Sequence, residues 1–116
     1  MQNIVNGKII KTELGTKDIP VFTCSLWIEM ESGGCSFGGY ALDTYNKEKG
    51  ERVGTAIGFS AIMKLMEVLE VGNWEDLKGT YVRCKINADT SICEIGHLMK
   101  DKWFSFGVFF AENIGE

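Results

Sequence analysis

The segment Phe37-Gly38-Gly39-Tyr40-Ala41-Leu42-Asp43 sets an aromatic ring on either side of two adjacent glycines, with a carboxylate close behind. A glycine pair inside a strand weakens it unless a bulge or a close backbone approach is needed there, so the segment offers main-chain N–H groups beside the Tyr40 ring. A bulge alone also accounts for it. A second cluster, Lys47-Glu48-Lys49-Gly50-Glu51-Arg52-Val53-Gly54-Thr55, runs into a helical pattern. The unpaired N–H groups and the dipole at a helix start attract an anion, and nearby cations add to that attraction. Its glycines match neither a Walker nor a dinucleotide fingerprint, and an ordinary charged loop before a capped helix is the plainer alternative. The two clusters flank one loop, so the expectation is a shared pocket for a small anionic nucleotide ligand. Arg52, Gly54 and Thr55 would hold phosphate, Tyr40, Gly39 and Asp43 would meet base or ribose, and Gly38 belongs to the same ligand site. Phe37, Trp27 and Trp103 could supply stacking faces, although aromatic rings of this kind also serve as core.

Catalytic chemistry finds less support. His97 is the only histidine, and a lone histidine after a strand is more often a hydrogen-bonded structural residue than a general base. It is kept as a ligand contact, and with Asp43 as the acid or base of a hydrolase, the third of three readings. Glu75 and Asp76 suit the start of a helical turn, while Glu29, Glu31, Glu67 and Glu70 read as solvated faces. No catalytic residue is therefore assigned. One histidine and the scattered Cys24, Cys35, Cys84 and Cys93 give no metal-ligand spacing, so neither metal nor cofactor is expected. The thiols should be free, as in a reducing compartment. If Ala88-Asp89 is a hairpin turn, Cys84 and Cys93 face each other across two strands.

These groups must be positioned by a chain of 116 residues that is 45% hydrophobic, which is enough for one domain spanning 1–116 with a real core and excludes intrinsic disorder. Twelve basic against sixteen acidic residues leave a net charge of -4. With no global positive field, general nucleic-acid binding is not expected; a small anion answers to a local pocket instead. The N-terminus lacks an export pattern and no run is apolar enough for a membrane helix, so a cytoplasmic location is expected.

β-Branched residues and partial alternation predict a strand over 3–14, closed by Gly15-Thr16-Lys17-Asp18. A second strand runs from Pro20 to Met30, and a third from Cys35 to Leu42 after the turn Glu31-Ser32-Gly33-Gly34, making an antiparallel meander. The polar interval 43–54 reads as a mobile surface loop. Thr55 caps a helix that ends at Gly72, with Ile57, Gly58, Phe59, Ala61, Ile62, Leu65, Met66, Val68 and Leu69 on one arc. That arc, roughly 200° wide against the ~100° a surface helix needs, calls for a curved sheet or a second subunit to cover it. A homo-oligomer is therefore an open possibility. Asn73 caps a short turn over 74–77, 80–87 and 91–97 form a second hairpin, and the aromatic run 103–110 makes a short helix or strap. The fold class is α+β: an antiparallel sheet on one main helix, in the order βββαββ with a short aromatic C-terminal segment.

The motifs Phe37-Gly38-Gly39-Tyr40-Ala41-Leu42-Asp43, Trp74-Glu75-Asp76-Leu77-Lys78-Gly79, Ile95-Gly96-His97 and Lys100-Asp101-Lys102-Trp103-Phe104, with Asn6-Gly7-Lys8-Ile9 ahead of them, resemble a small family of tailed-phage and prophage proteins over nearly the whole chain. The resemblance implies a phage accessory protein acting in the bacterial cytoplasm against host defence. Such a protein either sequesters a nucleotide-derived immune signal or, as the competing reading, binds a host effector such as a CRISPR nuclease through an acidic surface.

Overall fold

A computed structural model describes residues 3–16 and 20–113. Lys17 and Asp18 of the expected first turn lie outside them. The first strand, β1 (Asn3–Gly15), pairs antiparallel with β2 (Thr23–Met30), which pairs with β3 (Gly33–Ala41) across the two-residue turn Glu31-Ser32. The register of β1 against β2 shifts between Ile9 and Lys11, so Ile10 is an extra residue. This bulge is why the alternation of β1 is imperfect in the sequence: Ile9 and Thr12 face inward on either side of the interruption.

The interval 43–54 is not a loop. It forms a hairpin of β4 (Asp43–Asn46) and β5 (Glu51–Gly54), a two-stranded sheet of its own. Thr44, Tyr45 and Val53 favour extended backbone, and Asn46 closes the turn, its Oδ1 accepting from Lys49 N at 2.9 Å and its carbonyl from Gly50 N at 2.9 Å. Charge in the turn residues hides these short strands from a reading of composition.

Helix α1 (Ala56–Leu69) starts at the Thr55 cap, as expected, but ends at Glu70, whose left-handed backbone (φ 56°) stops it before Gly72. A single 3-10 turn over Trp74–Leu77 leads to β6 (Tyr81–Ile86) and β7 (Ile92–His97), then to the short β8 (Trp103–Phe104) and α2 (Phe106–Glu112). The main sheet has the order β3-β2-β1-β6-β7-β8, antiparallel throughout, and curls so that β3 approaches β7. Ile9, Leu26, Ile28, Val82 and Ile95 line its concave face and are buried against Ala61, Leu65, Val68 and Leu69 of α1. The α+β class and the antiparallel sheet on one main helix stand; the hairpin β4–β5 and strand β8 are additions to the expected order.

The β6–β7 turn runs longer than Ala88-Asp89. Asn87 N donates to Ser91 O, and the Asp89 carboxylate accepts from both the amide and the hydroxyl of Ser91. The register then shifts, so Cys84 faces Ile95 and not Cys93, whose thiol donates to Lys85 O. Among the described residues, no helix is long and apolar enough to cross a membrane.

Candidate functional site

The end of β3 and the start of α1 are fastened together at one atom. Leu42 N donates to Phe22 O at 2.8 Å, and the Leu42 carbonyl oxygen accepts from Thr55 N at 3.1 Å and from Thr55 Oγ1 at 3.0 Å. The same hydroxyl accepts from Gly58 N at 3.0 Å, which makes it the N-cap. Gly58 allows this approach, because a β-carbon there would lie 2.8 Å from Leu42 Cα and overlap the Leu42 carbonyl. Thr55 is thus a structural tie: its hydroxyl hydrogen is committed to Leu42 and is not available to a phosphate.

Past Leu42 the chain enters β4 and places Asp43 beside Arg52 of β5. Arg52 Nε donates to Asp43 Oδ2 at 2.8 Å and Nη2 to Oδ1 at 2.9 Å, a bidentate pair, while Phe22 N donates to Oδ2 at 3.1 Å. The Asp43 side chain is 8% exposed and that of Arg52 30%. The Arg52 hydrogen bond holds the Asp43 carboxyl below its ordinary range, and the same contact pushes the guanidinium further up. Both Asp43 oxygens are occupied, so this carboxylate orients Arg52 and has little left to offer a ribose. Arg52 Nη1, by contrast, has no protein partner among the described residues.

Asp43, Arg52, Gly54 and Thr55 form one side of a cleft of about 320 Å³ whose other walls are Phe22, Leu42, Val53, Phe59 and Ile62. Among the described residues the lining is apolar except for the Asp43–Arg52 pair, Thr55 and the backbone around Gly54. Phe59 projects from α1 with 67% exposure, and Met63, one turn on, with 59%.

The glycine pair serves a different place. Gly38 and Gly39 have φ of 113° and 89°, and the register of β2 against β3 shifts there, which is the bulge reading. A β-carbon on Gly38 would lie 2.5 Å from Cys24 O and 3.3 Å from the Phe106 ring. The bulge therefore lets α2 pack down onto the sheet. Tyr40 stacks on Phe106 (centroids 5.8 Å apart) and meets Phe110 (5.7 Å), while Phe37 is buried 5.4 Å from Phe106. Phe37, Tyr40 and Phe106 border a second groove of about 300 Å³ with Ser91, Cys93 and Ser105.

His97 sits by Glu70, at the end of α1 remote from Thr55. Its Nδ1 accepts from the amides of Met99 and Lys100, both at 3.1 Å, which puts the ring proton on Nε2, 3.9 Å from Glu70 Oε2. Glu70 also receives Lys100 at 2.7 Å and Lys102 at 3.3 Å, and these ammonium groups, Lys100 foremost, lower its carboxyl below the ordinary range. Trp103 lies on the opposite face of the sheet from the core, with Arg83 4.6 Å and Lys85 4.3 Å from its ring centroid.

The ten candidate residues are therefore divided. Asp43, Arg52, Gly54 and Thr55 share the cleft; Phe37, Gly38 and Tyr40 border the groove under α2, with Gly39 in the adjoining bulge; His97 and Trp103 stand apart from both. The cleft walls Phe22, Phe59 and Ile62 were not singled out by sequence. For Phe59 and Ile62 the signal was the helix arc, wider than one sheet needs to cover; Phe22, ahead of β2, had none. No group of three or more metal-ligating side chains occurs among the described residues. No family model, curated protein or solved structure matches the chain.

Proposed function

We propose that this protein is a non-enzymatic binder that captures a small nucleotide-derived ligand in the cleft between the β4–β5 hairpin and α1. The observation that carries this reading is an apolar cleft with a guanidinium oriented at its side and one arm of that guanidinium unclaimed. Phe22 and Phe59 suit a planar base, and Arg52 suits its anionic group. At about 320 Å³ the cleft stands near the lower end of the ~300–1,000 Å³ usual for ligand pockets, a fit for one nucleotide unit. Binding is favoured over turnover because the side chains considered as acid or base are engaged elsewhere: Asp43 with Arg52, and His97 with the Met99 and Lys100 amides. The resemblance to phage accessory proteins supplies the setting, removal of a nucleotide immune signal in the host cytoplasm.

Thermal shift against a panel of mononucleotides, cyclic nucleotides and ADP-ribose derivatives tests this. A rise in Tm that grows with ligand excess, followed by recovery of the ligand unchanged after heat denaturation, is the expected result. A ligand recovered with altered mass points to the hydrolase. The second reading, masking of a host protein, is favoured by the adjacent exposed Phe59 and Met63. It predicts that Phe59→Asp abolishes anti-defence activity while no compound shifts Tm.

A further inference from the structure

We infer that the cleft selects a singly charged anion, a phosphodiester or carboxylate on a flat apolar body, and discriminates against a phosphate monoester. The inference rests on the reading of this cleft as a ligand site and adds the charge of what it takes. Among the described residues, two charged ones, Asp43 and Arg52, line the cleft, and they already neutralise each other in a bidentate pair. What Arg52 has left is directional: Nη1 and the second hydrogen of Nη2 form a donor edge, held in place because Nε and the rest of Nη2 are locked to a carboxylate that is itself pinned by Phe22 N. Such an edge matches the two oxygens of a carboxylate or a phosphodiester. It does not supply a second positive charge. A phosphate monoester carries about -1.5 to -2 at pH 7, and its excess charge would have to sit among Phe22, Val53, Phe59 and Ile62 with Asp43 close by. Burying uncompensated charge beside a like charge is costly: because the pair is neutral by itself, a monoanion gripped by the donor edge adds a single negative charge, whereas a monoester adds most of a second one that none of the described residues here offsets. In this arrangement Asp43 is a positioning residue that also sets the charge limit.

The test is a charge series on one scaffold, read by calorimetry on the full chain: adenosine, 3′,5′-cyclic AMP and AMP, with 2-naphthoate as a carboxylate without sugar or base. Cyclic AMP should bind about tenfold or more tightly than AMP, the order of one like-charge contact near the protein surface, and more tightly than adenosine. Asp43→Asn should narrow the preference for cyclic AMP over AMP, a shift in ratio that a merely structural role would not produce. Gly54→Ala should weaken every ligand, since Gly54 lines the cleft and a β-carbon there would meet no protein atom within 4 Å, leaving it to take up open space. AMP binding as tightly as cyclic AMP, or adenosine matching both, overturns the charge rule and leaves the nucleotide reading intact. Naphthoate binding without any adenosine compound upholds the charge rule and removes the nucleotide reading. No binding by all four overturns both.

Discussion

Thr55 gives both of its polar hydrogens, from N and from Oγ1, to the carbonyl oxygen of Leu42. One threonine thereby caps α1 and fixes the helix start to the end of β3. Thr55→Ala should cost about 2 kcal/mol, the upper part of the range for a lost N-cap, because the bond to Leu42 goes with it. Thr55→Ser keeps the hydroxyl and should retain most of the stability. Urea midpoints of the two variants check this; equal losses would mean that the methyl group and not the hydroxyl matters.

Gly58→Ala separates helix propensity from packing. In an open helix the change gains about 1 kcal/mol. Here the new β-carbon would strike the Leu42 carbonyl, a backbone group already held by Phe22 and Thr55, so the substitution should lower Tm. A rise in Tm would show that Leu42 can yield, and with it the wall of the cleft.

Acid should loosen the fold through two carboxyls. Asp43 is lowered by its bond to Arg52 and Glu70 by Lys100 and Lys102. A carboxyl depressed in the folded state contributes stability that is complete above the ordinary range near 4 and is lost as pH falls through the folded value. Denaturation between pH 7 and pH 2 should show stability falling below about pH 4, and the double variant Asp43→Asn, Glu70→Gln should fall less steeply. Part of the remaining slope belongs to Asp89, lowered by its bonds to Ser91. Parallel curves for the two proteins would assign the acid sensitivity to other groups.

Two of the four cysteines should be inert. Burial pushes the thiols of Cys24 and Cys84 up to about 12, leaving a thiolate fraction of about 10⁻⁴ at pH 8. Iodoacetamide on the folded protein should spare these two and label all four after denaturation, as read by peptide mass. Labelling of native Cys84 at the rate of the half-buried Cys35 would contradict the packing.

Features with a local cause were legible in the sequence. Thr55 as a cap, the alternation of Val82 and Cys84, and a turn after Met30 each follow from a few neighbouring residues, although Gly33 and Gly34, expected in that turn, already pair with Met30 and Glu29 in β3. What was not legible depends on partners distant in the chain. Gly38 and Gly39 announced a bulge, but not that Phe106 would be the ring lowered onto it. Arg52 and Asp43 were each marked for a ligand, yet nothing in their spacing said that a two-stranded hairpin would turn them toward each other. His97 lost its candidacy to the amides of the tight turn that follows it, a contact set by where β8 begins.

The middle position of β1 in the sheet bears on the order of events during synthesis. This strand is made before the other strands of the sheet and can hairpin with β2 at once, but its other edge stays open until Tyr81–Ile86 has been made. The nascent chain must therefore carry a half-finished template through the birth of the cleft and all of α1. Closure of such a distant pairing is slow compared with the local hairpins, and every segment that walls the cleft is made before β6.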